Sequence, residues 1–310
     1  MTVKVLYIAG WGRSGTTIVD NILGSYGGVF SAGELYYLWR RGIGQKRRCG
    51  CGEPLPTCPL WHDVLEIAYR DGKPRAKEMN KIQRQSVRVR DTWRLSHGRL
   101  DADVMRYRDE LGRIYAAIAE VTGARLIVDS SKVPAGAAIA SRIDGVEAYL
   151  LQMVRDPRAV AHSWKRAKTQ TDVAVPRLMR QHTATQSGLS WVAWNLLTED
   201  VARRGYQGRF ARLRYEDFAA DPQQTISSVL DLVGADVVGT PFVDASTVKL
   251  SGNHTVSGNP SRFNVGAVAL RRDDSWRDDQ GSRDRLISTA TTLPLLHRYG
   301  YPLAPRKPSD

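Results

Sequence analysis

The sequence predicts an α/β fold: a P-loop-like, three-layer architecture with a central, mainly parallel sheet of about five strands and a helical insertion. Three observations lead there. Short apolar runs alternate with helical stretches along the chain, and polar or Gly-containing residues punctuate the joins, as in strand–helix–strand units. The first run, Val3–Ala9, leads straight into Gly10-Trp11-Gly12-Arg13-Ser14-Gly15-Thr16-Thr17, a Gly-rich turn at the start of a helix. A second run ends in Arg155-Asp156-Pro157, where Asp156 reads as an N-cap and Pro157 as the first helical residue.

In chain order, strands are expected at Val3–Ala9, a brief 29–31, 125–129, 147–154 and 210–215. Residues 40–120 interrupt the alternation with a loop, to about residue 61, and then a basic helical region. There Val104, Tyr107, Leu111, Ile114, Ile118 and Val121 recur at helical spacing and form one apolar stripe for core packing. The insertion reads as a lid, an acceptor cap or a structural buttress. Of Asp129, Ser130 and Ser131, two are expected to cap a helix beginning near Pro134. Later come a helix near Pro222–Val233, an irregular Gly/Ser/Asn-rich stretch at 251–267, a last helix near 282–293, and a frayed tail at 305–310. One elaborated domain over 1–310 accommodates all of this, without internal repeats.

The formal net charge of +13 favours anionic partners. Basic residues are spread along the chain without a recognisable DNA- or RNA-binding motif, so a small, multiply charged ligand is favoured over nucleic acid. No apolar run is long enough for a signal h-region or a membrane span, so a soluble, cytoplasmic protein is expected. The three cysteines, Cys49, Cys51 and Cys58, sit together with His62 just beyond. They read either as zinc ligands in an unusual C-x-C-x6-C-x3-H spacing or as thiols of a Gly/Pro-rich loop; no metal is assigned to the reaction.

The first loop is an anion cradle, because its backbone N–H groups converge on a helix N-terminus. It departs from the nucleoside-triphosphate loop G-x-x-x-x-G-K-[ST], placing Thr16 where lysine is required and supplying its cation earlier, as Arg13. Such a loop suits one phosphate bearing a transferable group; alternatively it is a tight turn capped by Ser14 or Thr16. In the second motif, Ser163 follows Asp156 by two helical turns on the same face, so Arg155 and Ser163 can converge on a second, terminal phosphate.

Gly10–Thr17 and Val154-Arg155-Asp156-Pro157-Arg158-Ala159-Val160-Ala161-His162-Ser163-Trp164 resemble the 5′-phosphosulfate and 3′-phosphate motifs of the sulfotransferase family. The version with arginine in the first loop is typical of carbohydrate, tyrosylprotein and bacterial members. Asp129-Ser130-Ser131-Lys132, Arg214-Tyr215-Glu216-Asp217 and residues 254–262 add to the resemblance. It implies 3′-phosphoadenosine 5′-phosphosulfate as donor, held by Gly12, Arg13, Ser14, Gly15, Thr16, Thr17, Arg155, Ser163 and Tyr215, and closed over by Ser257, Asn259 and Arg262. By the same resemblance Glu34 is the general base, with His254 as the alternative, and Lys132 joins Arg13 at the sulfuryl group. The acceptor is expected to be a hydroxyl of a sugar, glycolipid or natural product, with Trp39, Arg40, Arg41, Trp61 and Trp93 near the mouth. A nucleotide-dependent kinase, with Asp129 as its magnesium ligand, and a non-catalytic anion- or RNA-binding protein are the competing readings.

Overall fold

The computed structural model describes residues 2–70, 72–173 and 175–303; the tail expected at 305–310 lies outside them. Five strands, β1 (Val3–Ala9), β2 (Val29–Gly33), β3 (Leu126–Lys132), β4 (Val146–Val154) and, after the two-residue strands β5 (Thr169–Gln170) and β6 (Arg177–Leu178), β7 (Phe210–Arg214), form one sheet in the order β2-β3-β1-β4-β7. Every pairing in it is parallel. The chain leaves β1 for β2 and β3 on one side and for β4 and β7 on the other, so β1 is the topological switch point, where such sheets bind ligands at the carboxyl edge.

Residues of β1 alternate between two cores, which makes the three layers. Val5, Tyr7 and Ala9 pack on one face with α5 (Ala102–Thr122) and α6 (Pro134–Ala140). Leu6 and Ile8 pack on the other with α1 (Thr16–Leu23) and, from further along, Ile226, Val229, Leu230 and Val233. The expected stripe of Val104, Tyr107, Leu111, Ile114 and Ile118 is buried on α5. Between β2 and α5 lie α2 (Pro59–Ala68), α3 (Ala76–Ser86) and α4 (Thr92–Ser96). Their apolar residues, with Trp39, Leu55 and Trp61, share the core of Val5 and Tyr7, so the insertion is built into the main fold as a buttress. Trp39 and Trp61 are therefore packing residues, leaving Trp93 exposed among the three tryptophans expected at the mouth.

On the other side of the switch point come α7 (Pro157–Lys165), α8 (Ala184–Gly205), α9 (Tyr215–Ala220) and α10 (Pro222–Val233), then the hairpin of β8 (Thr247–Leu250) with β9 (Gly266–Ala269), and finally α11 (Trp276–Asp279) and α12 (Ser282–Arg298). Sequence reading passes over α8 because its buried face includes Ser187, Asn195 and Thr198, which interrupt the apolar period. The predicted capping by the Asp129 turn is also replaced: β3 runs on through Lys132, and Val133 precedes α6 without a side-chain cap.

Candidate active site

The loop of residues 10–15 joins β1 to α1. Gly15 precedes the helix at φ 86°, and no side chain caps the helix start, which leaves its first N–H groups without a side-chain acceptor. A Cβ on Gly15 would stand 2.6 Å from the Tyr215 ring, so only glycine admits both this φ and that ring. Ser14 is turned inward, its hydroxyl donating to the Trp11 carbonyl at 2.8 Å. Thr16 and Thr17 open α1. The Gly12 carbonyl accepts from Trp164 Nε1 at 3.1 Å, and the Arg13 guanidinium lies 4.8 Å from the Trp164 ring centroid.

Arg13 itself sits at φ 75°, and Lys132 at φ 71°. Left-handed backbone costs a non-glycine residue about 1–3 kcal/mol and collects at functional sites. These two are the cations that the resemblance assigns to the sulfuryl group. Arg13 Nε and Nη1 are buried without hydrogen-bond partners. Burial, then the Arg166 charge, lowers the Arg13 pKa, while Glu34 opposes them, so Arg13 and the Glu34 carboxylate share one electrostatic neighbourhood.

At the carboxyl end of β4, Asp156 caps α7 and clasps Arg158, its Oδ1 accepting from Arg158 Nε at 2.8 Å. Arg155 stacks 4.4 Å from the Tyr215 ring centroid. Its guanidinium donates to the Arg13 carbonyl at 3.4 Å and to the Asp273 carbonyl at 2.7 Å, and its Nε is buried without a partner. Ser163 is buried on α7. Arg166 and Lys168, just beyond that helix, join the group: Arg166 pairs with Asp273 at 2.9 Å, and burial, then the charges of Arg13 and Arg166, lower the Lys168 pKa. Burial acts to raise Asp273, but the hydrogen bond from Ser275 and the Arg155 and Arg166 charges take it down to about 2.

Across β1, Glu34 follows β2 and is buried. Its Oε1 accepts from Lys132 Nζ, its Oε2 lies 3.6 Å from Arg41 Nη1, and its N–H reaches the Ser257 carbonyl at 3.4 Å. Burial pushes the carboxyl up, but Lys132 and Arg41 more than offset it, so the pKa falls below the usual glutamate value. The serines of the β3 end hold this frame together. Ser131 Oγ accepts from the Tyr36 N–H at 2.8 Å, and Ser130 Oγ donates at 2.7 Å to Asp20, whose other oxygen takes Ser31 Oγ at 2.6 Å. Asp129, the nearest candidate for a magnesium ligand, is buried and accepts from Tyr115 Oη at 2.6 Å and the Ser131 N–H at 3.0 Å.

The late loop departs most from expectation. The ring of His254, offered by the sequence as an alternative base, faces the cysteines: its Nδ1 is 3.2 Å from Cys58 Sγ. Asn259 caps a short 3-10 turn, Pro260–Phe263, by accepting from the Ser261 N–H. Arg262 is almost fully buried and gives its donors to Thr255 and, at 2.6 Å, to the Arg48 carbonyl. Ser257 Oγ accepts from Arg41 at 3.0 Å, on the Glu34 side. The segment lying against Arg155 and Tyr215 is instead 271–275: Tyr215 Oη donates to the Arg271 carbonyl at 3.3 Å, and the Asp273 N–H donates back to that oxygen at 3.4 Å. Sequence reading missed Arg166, Lys168 and Asp273; it placed Arg41 near the acceptor mouth but not against the Glu34 carboxylate. The run Lys165-Arg166-Ala167-Lys168 directly after the second motif was the available signal for two of them; Asp273, and the pairing of Arg41 with Glu34, enter through tertiary contacts alone.

No helix among the described residues is long and apolar enough to cross a membrane. The family model described as the sulfotransferase family matches residues 6–238. Among solved structures, the chain is similar to the sulfotransferase domain of the Synechococcus PCC 7002 olefin synthase, with TM-score 0.53 and 18% identity over 98% of this chain and 96% of that one. It is similar to the sulfotransferase domain from the curacin biosynthetic pathway, with TM-score 0.54 and 16% identity over 98% and 99%. At those identities the likeness is one of fold. No curated protein matches the chain.

Proposed function

The chain belongs to the sulfotransferase family, and from that premise we propose that it transfers a sulfuryl group from 3′-phosphoadenosine 5′-phosphosulfate to an acceptor hydroxyl of a sugar, glycolipid or natural product. The observation that supports this donor is a charge imbalance. Arg155 and Arg166 share the Asp273 carboxylate, and Lys168 and Arg13 stand near enough to feel the Arg166 charge; three of the guanidinium nitrogens, Arg13 Nε and Nη1 and Arg155 Nε, are buried and unpartnered. Unsatisfied buried donors cost free energy unless a ligand meets them. A donor with two phosphate positions fits the arrangement.

In this reading the N–H groups of Gly12 to Thr17 hold the 5′-phosphate at the uncapped start of α1. Arg155, with Ser163, holds the 3′-phosphate, while Tyr215 orients the nucleotide and residues 271–275 cover it in place of 257–262. The donor supplies an electrophilic sulfuryl group on a phosphate leaving group. Arg13 and Lys132 offset negative charge at the sulfuryl oxygens and the bridging oxygen. That group carries less charge than a phosphoryl group, so the step requires no metal. Glu34 takes the proton of the acceptor hydroxyl. Its basicity is coupled to Lys132: burial alone pushes the Glu34 carboxyl up, and Lys132 is the stronger of the two cations holding it down. When the Lys132 ammonium turns towards an anion, Glu34 becomes the stronger base in the same movement.

Calorimetric titration with 3′-phosphoadenosine 5′-phosphate, followed by labelled-sulfate transfer to a panel of hydroxyl compounds, tests the proposal. Saturable binding at one site and label in a product are expected. Magnesium-dependent ATP turnover, or salt-steep nucleic-acid binding without nucleotide saturation, would instead establish the kinase or the binding-protein reading.

A further inference from the structure

Cys49, Cys51, Cys58 and His254 each offer one ligand atom, and all four atoms lie within 4.8 Å of one another. We propose that they bind a structural zinc ion that clamps the insertion to the late loop. The sequence suggested His62 as fourth ligand, four residues beyond Cys58. In the fold, however, His62 is exposed beside Asp63 at 3.5 Å and Glu66 at 4.0 Å, and His254, about 200 residues away in sequence, takes the place.

Three observations converge on a tetrahedral metal. The first is spacing. With Zn–S near 2.3 Å and Zn–N near 2.05 Å, a tetrahedron has S···S edges of about 3.8 Å and S···N edges of about 3.6 Å. Here Cys51 and Cys58 sulfurs are 3.6 Å apart, and His254 Nδ1 is 3.7 Å from Cys49 Sγ and 3.2 Å from Cys58 Sγ. The second is the backbone. Cys49 to Glu53 form a tight turn, with the Cys49 N–H on the Glu53 carbonyl at 2.7 Å and the Gly52 N–H on the Cys49 carbonyl at 2.9 Å. The N–H of Cys51 is directed at the Cys49 sulfur, and that of Trp61 at Cys58, which suits sulfur carrying negative charge.

The third observation is charge. Arg47 and Arg262 are both buried and share one counter-ion, Asp172, at 3.8 Å from each, and Arg262 also feels Cys49 and Cys51. Zinc with three thiolates and a neutral imidazole carries a net charge of −1 (+2 − 3), which balances the second buried arginine. The site also lies at a seam that needs fastening. Gly50 N–H donates to the Thr255 carbonyl at 3.0 Å and Trp61 Nε1 to the His254 carbonyl at 2.6 Å.

The proposal stands apart from the transfer reaction, and so does its test. Purified reduced protein is analysed for metal by mass spectrometry and titrated with a mercurial while released zinc is followed. About one zinc per chain, released as about three thiols react, is expected. Replacement by cobalt should give the intense visible bands of a tetrahedral site and sulfur-to-cobalt charge transfer. His62→Ala should keep the metal, His254→Ala should weaken its binding at least tenfold, and chelation should lower Tm by about 5–10 °C. Should His254→Ala fail to fold, the wild-type stoichiometry, the cobalt spectrum and His62→Ala still decide the matter. Less than a tenth of an equivalent of zinc after incubation with the ion, a Cys51–Cys58 disulfide in protein purified without reductant, or metal loss in His62→Ala would each overturn the site.

Discussion

Two glycine- and serine-containing loops, residues 10–17 and 253–262, use their polar groups in opposite ways. In residues 10–17 the chain adopts left-handed backbone at Arg13 and Gly15 and leaves Arg13 Nε and Nη1 buried without partners. In residues 253–262, Asn253 holds Thr255 and the Arg262 carbonyl, Asn259 caps its own turn, and Arg262 bonds Thr255 and Arg48. The first loop is organised for something outside the chain; the second is spent on the chain itself. Both contain arginines that resemblance assigned to the donor, so residue type alone does not separate a ligand-binding arginine from a structural one. What separates them is how far the donors are met within the fold: Arg262 leaves Nε unpartnered but commits both Nη atoms to protein oxygens, whereas Arg13 leaves both Nε and Nη1 unpartnered.

The widest gap should open between Arg13→Ala and Arg262→Met. Arg13→Ala removes a cation whose contacts within the fold, the Trp164 ring and Met179 Sδ, are weak, so kcat/KM for sulfuryl transfer should fall about 10²–10³-fold with a smaller change in Tm than in Arg262→Met. Arg262→Met strands the acceptors of Thr255 and Arg48 and one side of Asp172, which should cost about 3–5 kcal/mol of stability. The protein that remains folded should bind 3′-phosphoadenosine 5′-phosphate within about twofold of wild type, since nothing the ligand touches has changed. Denaturation curves and ligand titration on the same samples separate the two effects. If Arg262→Met loses ligand affinity without losing stability, the contrast between the loops fails.

The next contrast lies within the Glu34 ion pair. Glu34→Gln should lower kcat about 10²–10⁴-fold and leave ligand affinity in place. A base works only when ionised, so activity is present above its pKa and lost as pH falls through it. Lys132 and Arg41 hold the Glu34 pKa down, which puts the acid limb of kcat/KM in the free enzyme below the ordinary glutamate value of about 4.3. Lys132→Ala removes the stronger of those two charges and should move that limb to higher pH, while the turnover that survives falls. An acid limb that stays where it was in Lys132→Ala would mean that another group accepts the proton.

How much of this could be read from the sequence follows from how local each cause is. Strand β1 and helix α10 were legible to the residue, because an unbroken apolar run and a Pro-started amphipathic stretch are local signals. So were the loop at Gly10 and the cap at Asp156. Helix α8 was not, because Ser187, Asn195 and Thr198 lie on its buried face. Glu34 was singled out by a two-residue resemblance, whereas Arg41 was named for the acceptor mouth, and its pairing with that carboxylate arises only through the unusual turn Leu38–Gly44. His254 shows the same limit: its nearest ligand-bearing neighbours are three cysteines about 200 residues earlier, and tertiary hydrogen bonds, such as the Val256 N–H on the Ala32 carbonyl of β2 at 2.9 Å, bring the late loop beside them.

The smallest expected effect concerns Asp273, the carboxylate paired with Arg155 and Arg166. Its partial exposure and its ion pairs at 3.4 Å to Arg155 and 2.9 Å to Arg166 put its interaction in the range of surface pairs, roughly 0.2–1 kcal/mol each. A phosphate arriving at Arg155 must compete with it. Asp273→Asn keeps the side-chain shape and removes the competing charge, so affinity for 3′-phosphoadenosine 5′-phosphate should rise about two- to fivefold, with a steeper loss of binding as salt increases. Titrations at two ionic strengths measure both. The Asp273 carbonyl still accepts from Arg155 at 2.7 Å in this variant, so the guanidinium keeps its place. Weaker binding would show that the carboxylate positions Arg155 and Arg166 for the ligand, with Arg13 Nε, Arg13 Nη1 and Arg155 Nε still wanting partners.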